Sequence, residues 1–275
     1  MSGKRALCVG INEYQQLPQA TLQGCVNDSR NMQKLLTEFM GFGSRDITVL
    51  TDAQATKANI MSNLKSMVAD AKGGKLSHLV FSLSSHGTQL PDISGDEPDR
   101  VDEAFCPYDL KAAGNQWDKN HIIADDEFYN LFTQLPQNVL LEVYLDTCHS
   151  GTGVKAVDLL LDRRPRFLPP PSLEAFEQVE NKKPRGLHVA LLEKGITHHI
   201  LWAGCRADQT SADAFIGGAW NGAFTYFFCK EVLTCKNKLS RNEILAKVRA
   251  DLKAARFTQI PQLESPATKR KELMS

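Results

Sequence analysis

The chain has 275 residues, of which 42% are hydrophobic and 23% charged, and its 32 basic side chains balance its 32 acidic ones. This is the composition of a globular protein, and a net charge of zero favours neither nucleic acid nor an anionic membrane as a partner. No apolar run reaches the roughly 18 residues of a membrane helix, and the apolar stretch at residues 6–11 is too short for a signal peptide. Seven cysteines are an odd number in a long chain with no secretory signal, which disfavours a disulfide framework, and the absence of a CxxC pair disfavours a zinc site. We therefore expect a cytoplasmic protein.

Short apolar strands alternate with amphipathic helices in the first half of the chain. The predicted strands cover residues 6–11, 47–50, 76–83 and 139–145, and the predicted helices cover residues 27–39, 56–71 and 125–135. Residues 88–121 have the composition of a polar, acid-rich loop. The alternation predicts βαβ units with a mostly parallel sheet, whose site lies in the loops at the carboxyl ends of the strands.

The second half begins with a change of character at residues 152–186, which are rich in proline and basic residues and predict an exposed linker. A strand at 198–203 and a helix at 219–233 follow. Ser240 and Glu243 then form the capping-box pattern of a last helix that runs to residue 255. We expect one α/β domain over residues 1–275, in which the flexible linker at 152–186 separates a part at about 1–151 from a part at 187–275.

Two chemically active side chains follow consecutive predicted strands of the sheet. Cys148 can attack a carbonyl only as a thiolate, and a free thiol with a pKa of about 8.5 needs a nearby base to become one. His86 is the candidate base, and the backbone N–H groups of Gly87 and Cys148 are candidate donors to an oxyanion. Taken singly, His86 could equally cap a strand end and Cys148 could be a small core residue. His149 points to the opposite side from Cys148 and is less suited as its base.

The segments around these residues resemble the two catalytic motifs of metacaspases, including the bacterial members called orthocaspases. The matching segments are Phe81-Ser82-Leu83-Ser84-Ser85-His86-Gly87, Asp146-Thr147-Cys148-His149-Ser150-Gly151, Leu7-Cys8-Val9-Gly10-Ile11-Asn12, Gly24-Cys25-Val26-Asn27-Asp28 and Ala203-Gly204-Cys205-Arg206-Ala207-Asp208-Gln209. The resemblance runs from about residue 4 to 262. It implies a caspase-like fold, with helices on both faces of a mostly parallel central sheet, and a cysteine endopeptidase. Leu83 and Thr147 stand where the family frequently has tyrosine and a second cysteine.

A pocket for a basic side chain is expected beside the nucleophile. Asp146 lies two residues before Cys148 and Ser84 two before His86, so each pair shares one face of its strand. The resemblance places Asp28 in the same pocket, with Cys25 nearby, and implies cleavage after arginine or lysine. Asp28 could instead cap the helix that follows it, and Asp146 could be a solvated strand end.

Acidic residues crowd the loop before the third predicted helix and the start of that helix. They are Asp92, Asp96, Glu97, Asp99, Asp102, Glu103, Asp125, Asp126 and Glu127. They could be solvated loop acids and first-turn acids favoured by the helix dipole, or they could bind calcium through clustered hard oxygens. The resemblance implies Asp102, Asp125 and Asp126 as calcium ligands. No organic cofactor is expected.

An enzyme that prefers basic residues would find its own cleavage sites in the linker. Arg163, Arg166, Lys182 and Arg185 are the candidate processing positions. The basic residues Arg164 and Lys183 each precede a proline, which disfavours cleavage. Alternatively, the linker is a solvated loop that enters no active site.

Three other functions stay open on the sequence alone. The first is a caspase-fold binding or signalling module with little peptidase activity, against which the retention of both His86 and Cys148 argues. The others are a different Cys–His enzyme and a metal hydrolase that uses His86, His149 and the acids. The expected partners are peptides or proteins with basic residues, with neither nucleic acid nor a membrane.

Overall fold

The structure, a computed structural model, describes residues 3–91, 100–149, 163–179, 183–184 and 199–274. The strands are β1 Gly3–Gly10, β2 Ile47–Thr51, β3 Leu76–Ser84, β4 Gly87–Pro91, β5 Arg100–Phe105, β6 Ala112–Ala113, β7 Gln116–Trp117, β8 Ile123–Ala124, β9 Leu140–Asp146, β10 Arg164–Pro165, β11 Lys183–Pro184, β12 His199–Ala203, β13 Ala212–Ile216, β14 Ala219–Gly222 and β15 Gln262–Glu264. The helices are α1 Cys25–Phe39, α2 Lys57–Lys72, α3 Asp125–Phe132, α4 Leu173–Val179, α5 Ala223–Cys235, α6 Arg241–Ala254 and α7 Ala267–Arg270. In the described part of the chain, no helix has both the length and the apolar composition needed to cross a bilayer.

Six strands form the central sheet, in the order β15-β12-β9-β3-β1-β2. All neighbouring strands are parallel except β15, which pairs antiparallel with β12 at one edge. The central strands are apolar along most of their length because both of their faces are covered. The mostly parallel sheet predicted from the alternation of strands and helices is therefore confirmed.

Helices cover both faces of this sheet, as expected. Leu7 and Val9 of β1 pack in one core, which α2 and α3 complete. The intervening Ala6 and Cys8 pack in the other core, with α1, α5 and α6. Successive residues of a strand point to opposite faces, so one short apolar strand supplies both cores.

Two predicted segments differ in the structure. Residues 88–121 are not one loop, because β4 pairs antiparallel with β5, and β5 with β8. The helix predicted at 219–233 begins only at Ala223, since residues 219–222 form β14 and pair with β13. Gly217 and Gly218, with positive φ angles of 65° and 86°, make the turn of this hairpin. This glycine pair indicates a turn in the sequence, but the apolar spacing that follows it favoured a helix. The capping box at Ser240 is present as predicted.

The described part of the predicted linker is packed against the rest of the protein. Residues 164–165 form β10, which pairs antiparallel with β13, and residues 173–179 form α4. Arg166 is fully buried. These residues are therefore not an exposed loop. Lys182 and Arg185 lie outside the described residues.

A buried ion pair ties the middle of the sheet to α6. Arg241, the first residue of α6, donates a hydrogen bond of 2.6 Å to Glu142 of β9, and both side chains are fully buried. Glu142 also accepts a hydrogen bond of 2.7 Å from the Tyr144 hydroxyl. Arg241 further donates to the carbonyl of Leu273, 2.7 Å away, so the pair also holds the C-terminal segment. These contacts give both the guanidinium of Arg241 and the carboxylate of Glu142 a partner inside the protein.

Removing one partner of this pair should destabilise the fold strongly. We expect Arg241→Met to lower the free energy of unfolding by ~3–5 kcal/mol, because Glu142 is left buried without its counter-charge. Urea-induced unfolding measures this loss. Lys230→Met is the matched control, since Lys230 pairs with Asp251 at 2.8 Å but is 46% exposed, and should cost less than about 1 kcal/mol. Equal losses in the two variants would contradict the assigned importance of the buried pair.

Candidate active site

His86 follows β3 and is held on two sides by the loop after β1. Its backbone N–H donates to the Tyr14 hydroxyl at 2.9 Å, and its Nε2 lies 2.8 Å from the carbonyl oxygen of Ala20. A carbonyl oxygen can only accept, so Nε2 carries the hydrogen and Nδ1 of the neutral ring has the free lone pair. Nδ1 is buried and has no hydrogen-bond partner among the described residues.

Burial also decides the charge of this ring. It lowers the pKa of His86 to about 4, although the hydrogen bond to Ala20 opposes the change. The Arg166 backbone lies near enough to the ring to oppose it too. At neutral pH the imidazole is therefore neutral, and its Nδ1 keeps a free lone pair near the Arg166 backbone.

Cys148 follows β9, directly beside the histidine loop. Adjacent pairing of β3 and β9 places Ser84 opposite Asp146, so the two strands end at the same level. The Cys148 thiol is buried, accepts a hydrogen bond from the backbone N–H of Ser211 and lies 3.4 Å from its carbonyl oxygen. A Cβ atom at Gly87 would overlap the Cys148 carbonyl, so only glycine allows the two loops to approach this closely.

The carbonyl oxygen of Arg166 lies between these two loops. It accepts hydrogen bonds from the backbone N–H of Gly87 at 2.9 Å and of Cys148 at 3.2 Å. These are the two groups proposed from the sequence as oxyanion donors. The Arg166 N–H in turn donates to the Ser211 carbonyl at 3.0 Å. The Arg166 peptide group is thus held on both sides, beside the thiol.

Three buried carboxylates surround the guanidinium of Arg166. Its Nη2 donates to Asp28 at 2.7 Å and to Asp213 at 3.0 Å, and its Nη1 lies 3.3 Å from an Asp146 carboxylate oxygen. Nη1 also donates to the backbone carbonyl of Asp146 at 3.0 Å. Burial alone would lower the pKa of Arg166, but the carboxylates and the Cys25 thiol raise it overall. The pocket is therefore occupied by a charged guanidinium.

Each carboxylate comes from a different element of the fold. Asp28 lies in the first turn of α1, which begins at Cys25, so it is not the N-cap residue. Asp146 ends β9, where the Thr225 backbone and hydroxyl both donate to it. Asp213 of β13 was not predicted, and it accepts hydrogen bonds from the backbone N–H groups of Gln23 and Gly24, the two residues before α1. These fixed donors hold the three carboxylates together around one cation.

Glycine at position 222 keeps this pocket open. A Cβ atom there would lie 2.5 Å from Arg166 Nη1 and 2.6 Å from an Asp28 oxygen, and closer still to Asp146. The Gly222 N–H donates to Asp28 at 2.9 Å. Cys25 is buried beside the pocket, and Ser84 is buried in the strand next to Asp146. Among the described residues, the guanidinium hydrogen bonds go to the aspartates rather than to Ser84.

His149 belongs to a different environment from His86. Its Nδ1 lies 3.3 Å from the Thr88 carbonyl, its Nε2 lies 3.3 Å from the Thr147 hydroxyl, and its ring packs edge-on against Phe105. Glu103 lies 3.8 Å from Nε2. Both ring nitrogens therefore contact β4, β5 or the cysteine loop.

The candidate calcium ligands lie where β5 meets the start of α3. Asp125 is buried, and its pKa is raised well above the usual range by burial and then by the nearby charges of Glu103, Asp102 and Asp126. Within the described ranges, no three or more histidine, cysteine or acidic side chains are arranged to hold a metal ion. The remaining acids of the loop, at positions 92–99, lie outside those ranges.

Comparison with known proteins identifies the family that carries this site. Residues 4–157 match the family model of the metacaspase, peptidase C14 domain. The chain belongs to the metacaspase family. It therefore carries a cysteine-peptidase domain, and the resemblance seen in its motifs is confirmed.

Curated metacaspases are similar along nearly the whole chain. Metacaspase-1 of Cryptococcus neoformans and Metacaspase-1A of Aspergillus niger are each 32% identical over 95% of this chain. Metacaspase-1 of Emericella nidulans is 33% identical over 96% of it. This chain spans 62% of the length of the Cryptococcus protein and 70% of the other two.

Solved structures share the fold of this metacaspase. Protein GSU0716 from Geobacter sulfurreducens superposes with a TM-score of 0.66 at 24% identity, covering 98% of this chain and 97% of the other. Caspase-1 from Spodoptera frugiperda superposes with a TM-score of 0.59 at 12% identity, covering 96% and 88%. The caspase-like fold implied by the sequence is therefore confirmed.

The pocket should bind arginine more strongly as the pH rises through 7. Burial raises the pKa of Asp28 to about 7 and Asp146 adds to the rise, although Arg166 opposes it. This pKa is that of the pocket filled by Arg166, whose charge lowers it, so the pKa of Asp28 is higher once Arg166 has left, and the carboxyl group gains its charge as the pH rises through and beyond 7. We expect the ratio of kcat/KM for matched peptides ending in arginine and in uncharged citrulline to rise with this charge. A ratio that stays constant from pH 6 to 8 would contradict the prediction.

Proposed function

We propose that this metacaspase is a cysteine endopeptidase that cleaves after arginine, and less readily after lysine, with Cys148 as nucleophile and His86 as base. The observation that carries the proposal is the position of Arg166. Its carbonyl oxygen accepts two backbone hydrogen bonds beside the thiol while its guanidinium is enclosed by three carboxylates. A peptide bond held in this way has the arrangement of a bound substrate.

The proposed chemistry uses the side chains of Cys148 and His86 and two backbone N–H groups. The Cys148 thiol gives its proton to Nδ1 of His86, and the thiolate attacks the Arg166 carbonyl carbon. The N–H groups of Gly87 and Cys148 stabilise the oxyanion that forms. His86 then protonates the departing nitrogen of Phe167, which leaves an acyl-enzyme that water hydrolyses.

The preference for arginine is supported by the directions of the contacts. Nη2 of Arg166 reaches Asp28 and Asp213, whereas Nη1 reaches Asp146. A planar guanidinium spans this separation with fixed donors, but the single ammonium of lysine must choose among the partners. Substrates are therefore proposed to be peptides or proteins with an exposed arginine.

The seven cysteines, all unpaired thiols, favour a reducing compartment such as the cytoplasm.

The first substrate is proposed to be the protein's own Arg166–Phe167 bond. The chain on both sides of Arg166 is paired with the cleft: β10 with β13 before it, and Leu168 N–H with the Gly87 carbonyl at 2.9 Å after it. Of the predicted processing positions, Arg166 alone among the described residues lies in the carboxylate pocket. Arg163 lies three residues earlier and has other partners.

Incubation of the purified protein should give one main cut, between Arg166 and Phe167. We expect Cys148→Ala to remain whole and His86→Ala to be cut only slowly, because one lacks the nucleophile and the other its base. His149→Ala should lose much less activity. Intact mass and terminal sequencing give the position of the cut.

Matched variants separate the pocket from general exposure of the linker. Arg166→Gln keeps a polar side chain but shortens it and removes the cation, and should slow the cut at least about a hundredfold, as expected for loss of a buried charge pair. Arg164→Gln changes a neighbouring, half-buried arginine and should slow it far less. Equal cutting of wild type and Cys148→Ala would refute the proposed nucleophile.

We also propose that calcium, bound by Asp102, Asp125 and Asp126, activates the enzyme. The support is the grouping of the charges: Asp102 and Asp126, with Glu103, add to the rise in the pKa of Asp125 that burial causes, and a cation would relieve the repulsion among them. Asp102 lies on β5, which pairs with β4 from Gly87 onwards. Calcium bound at Asp102 would hold β5 against β4, and so keep the Gly87 N–H in the position that the proposed reaction requires.

Millimolar calcium should then accelerate self-cleavage, and magnesium should substitute poorly because it demands tighter octahedral coordination. Asp125→Asn should abolish the response to calcium. Asp118→Asn, which changes an acid paired with Lys111 in the β7–β8 region, should retain it. Full activity in excess chelator would remove the calcium proposal and leave the peptidase proposal intact.

A further inference from the structure

The segment that lies beside Cys148, residues 163–168 and called here the bound segment, carries a second arginine that contacts a separate part of the protein. Arg163, three residues before Arg166, is 8% exposed. Its Nη1 donates to the Arg256 carbonyl at 2.6 Å and its Nη2 to the Ala255 carbonyl at 2.8 Å. Its guanidinium carbon lies 3.8 Å from the centre of the Phe257 ring. The guanidinium thus donates two hydrogen bonds in its plane and stacks its face on an aromatic ring. Lysine cannot reproduce this combination, because its ammonium group is not planar.

The two carbonyls are available because of how α6 ends. The Arg256 backbone has a positive φ of 62°, which turns the chain away from the helix axis after Ala255. The Phe257 N–H then donates back to the Leu252 carbonyl at 2.8 Å. The carbonyls of Ala255 and Arg256 are left outside the helix at its negative end, where a cation is favoured.

The Phe257 ring is held in place for this contact. It packs edge-on against Phe227 of α5, with ring centres 6.2 Å apart. Two residues later, Gln259 donates to the Ser211 hydroxyl at 3.0 Å and accepts from the Ala212 N–H at 3.0 Å. The loop that recognises Arg163 is therefore braced against the strand that holds the bound segment, next to Cys148.

We infer that the C-terminal turn of α6 and the face of Phe257 form a second specificity subsite, which selects an arginine three residues before the one at the cleaved bond. The inference rests on the proposed cleavage after Arg166. It adds a substrate requirement that the carboxylate pocket does not contain: a peptide with arginines spaced as in Arg163 and Arg166.

The intervening arginine is recognised less closely. Arg164 is half-buried, donates to the Thr21 carbonyl at 3.2 Å and lies 5.5 Å from the centre of the Trp220 ring. Its one longer hydrogen bond and more distant ring contrast with the two short bonds of Arg163. Arg164 is thus a matched internal control, because it has the same side chain in the same segment.

Tetrapeptide substrates with a fluorogenic leaving group test the subsite directly. The peptides Arg-Arg-Pro-Arg, Lys-Arg-Pro-Arg, citrulline-Arg-Pro-Arg and Ala-Arg-Pro-Arg differ only at the first position. We expect kcat/KM to be about tenfold higher with arginine than with alanine there, and lysine and citrulline to lie between. The arginine-to-alanine ratio should fall to about twofold in Phe257→Leu, which keeps an apolar side chain without a ring face, and should be retained in Phe257→Tyr.

Self-cleavage of the full chain gives a second measurement, in which the residues of the subsite stay unchanged and only the bound segment is altered. Arg163→Ala should slow the cut after Arg166 about tenfold. Arg163→Lys and Arg164→Ala should each slow this cut by a smaller factor than Arg163→Ala does. Cleavage of all four peptides after arginine with ratios within twofold of one another, or equal self-cleavage of Arg163→Ala and wild type, would overturn the subsite alone. Absence of any cleavage after arginine would overturn the proposed function, and the subsite with it.

Discussion

A guanidinium enclosed by three aspartates, all of them out of contact with water, is the constraint on which the rest of this cleft depends. The acids come from α1, β9 and β13, and without a cation their mutual repulsion in a medium of low polarity would be severe. Burial raises the pKa of Asp28, and the charge of Asp146 adds to the rise. The pocket is therefore stable in two ways: it takes up a cation or it takes up a proton.

The parallel sheet makes this convergence possible. β3 and β9 end at the same level, so the histidine and cysteine loops meet without any long excursion of the chain. The β13–β14 hairpin then supplies both Asp213 and the backbone that pairs with the bound segment. The carboxyl end of the sheet thus provides the proposed nucleophile, the proposed oxyanion donors and the carboxylate pocket, while the middle of β9 is fixed to α6 by the Glu142–Arg241 pair. The proposed chemistry and the buried ion pair thus depend on different parts of the same strand.

The parallel strands and the positions of His86 and Cys148 could be predicted from the sequence, because each is indicated by residues that lie close together in the chain. Continuous apolar runs indicated the parallel strands, and His86 and Cys148 stand directly after two of them. Ala20 could not be found in the same way, since it contributes only a carbonyl oxygen that any residue would offer. Asp213 was equally hidden, because its role depends on a contact with the distant start of α1. The strand β14 was missed because its apolar residues continue into the pattern of the helix that follows.

The guanidinium of Arg166 and its pocket are parts of one polypeptide, and this has a consequence for how the cleft is filled. Binding within a chain is unimolecular, so the occupied fraction does not change when the protein is diluted. A separate peptide that competes for the pocket must exceed the effective concentration of the tethered segment, which is of millimolar order for short flexible connections. The cleft is consequently as well filled in a dilute extract as in a concentrated stock, until the connection on one side of Arg166 is broken.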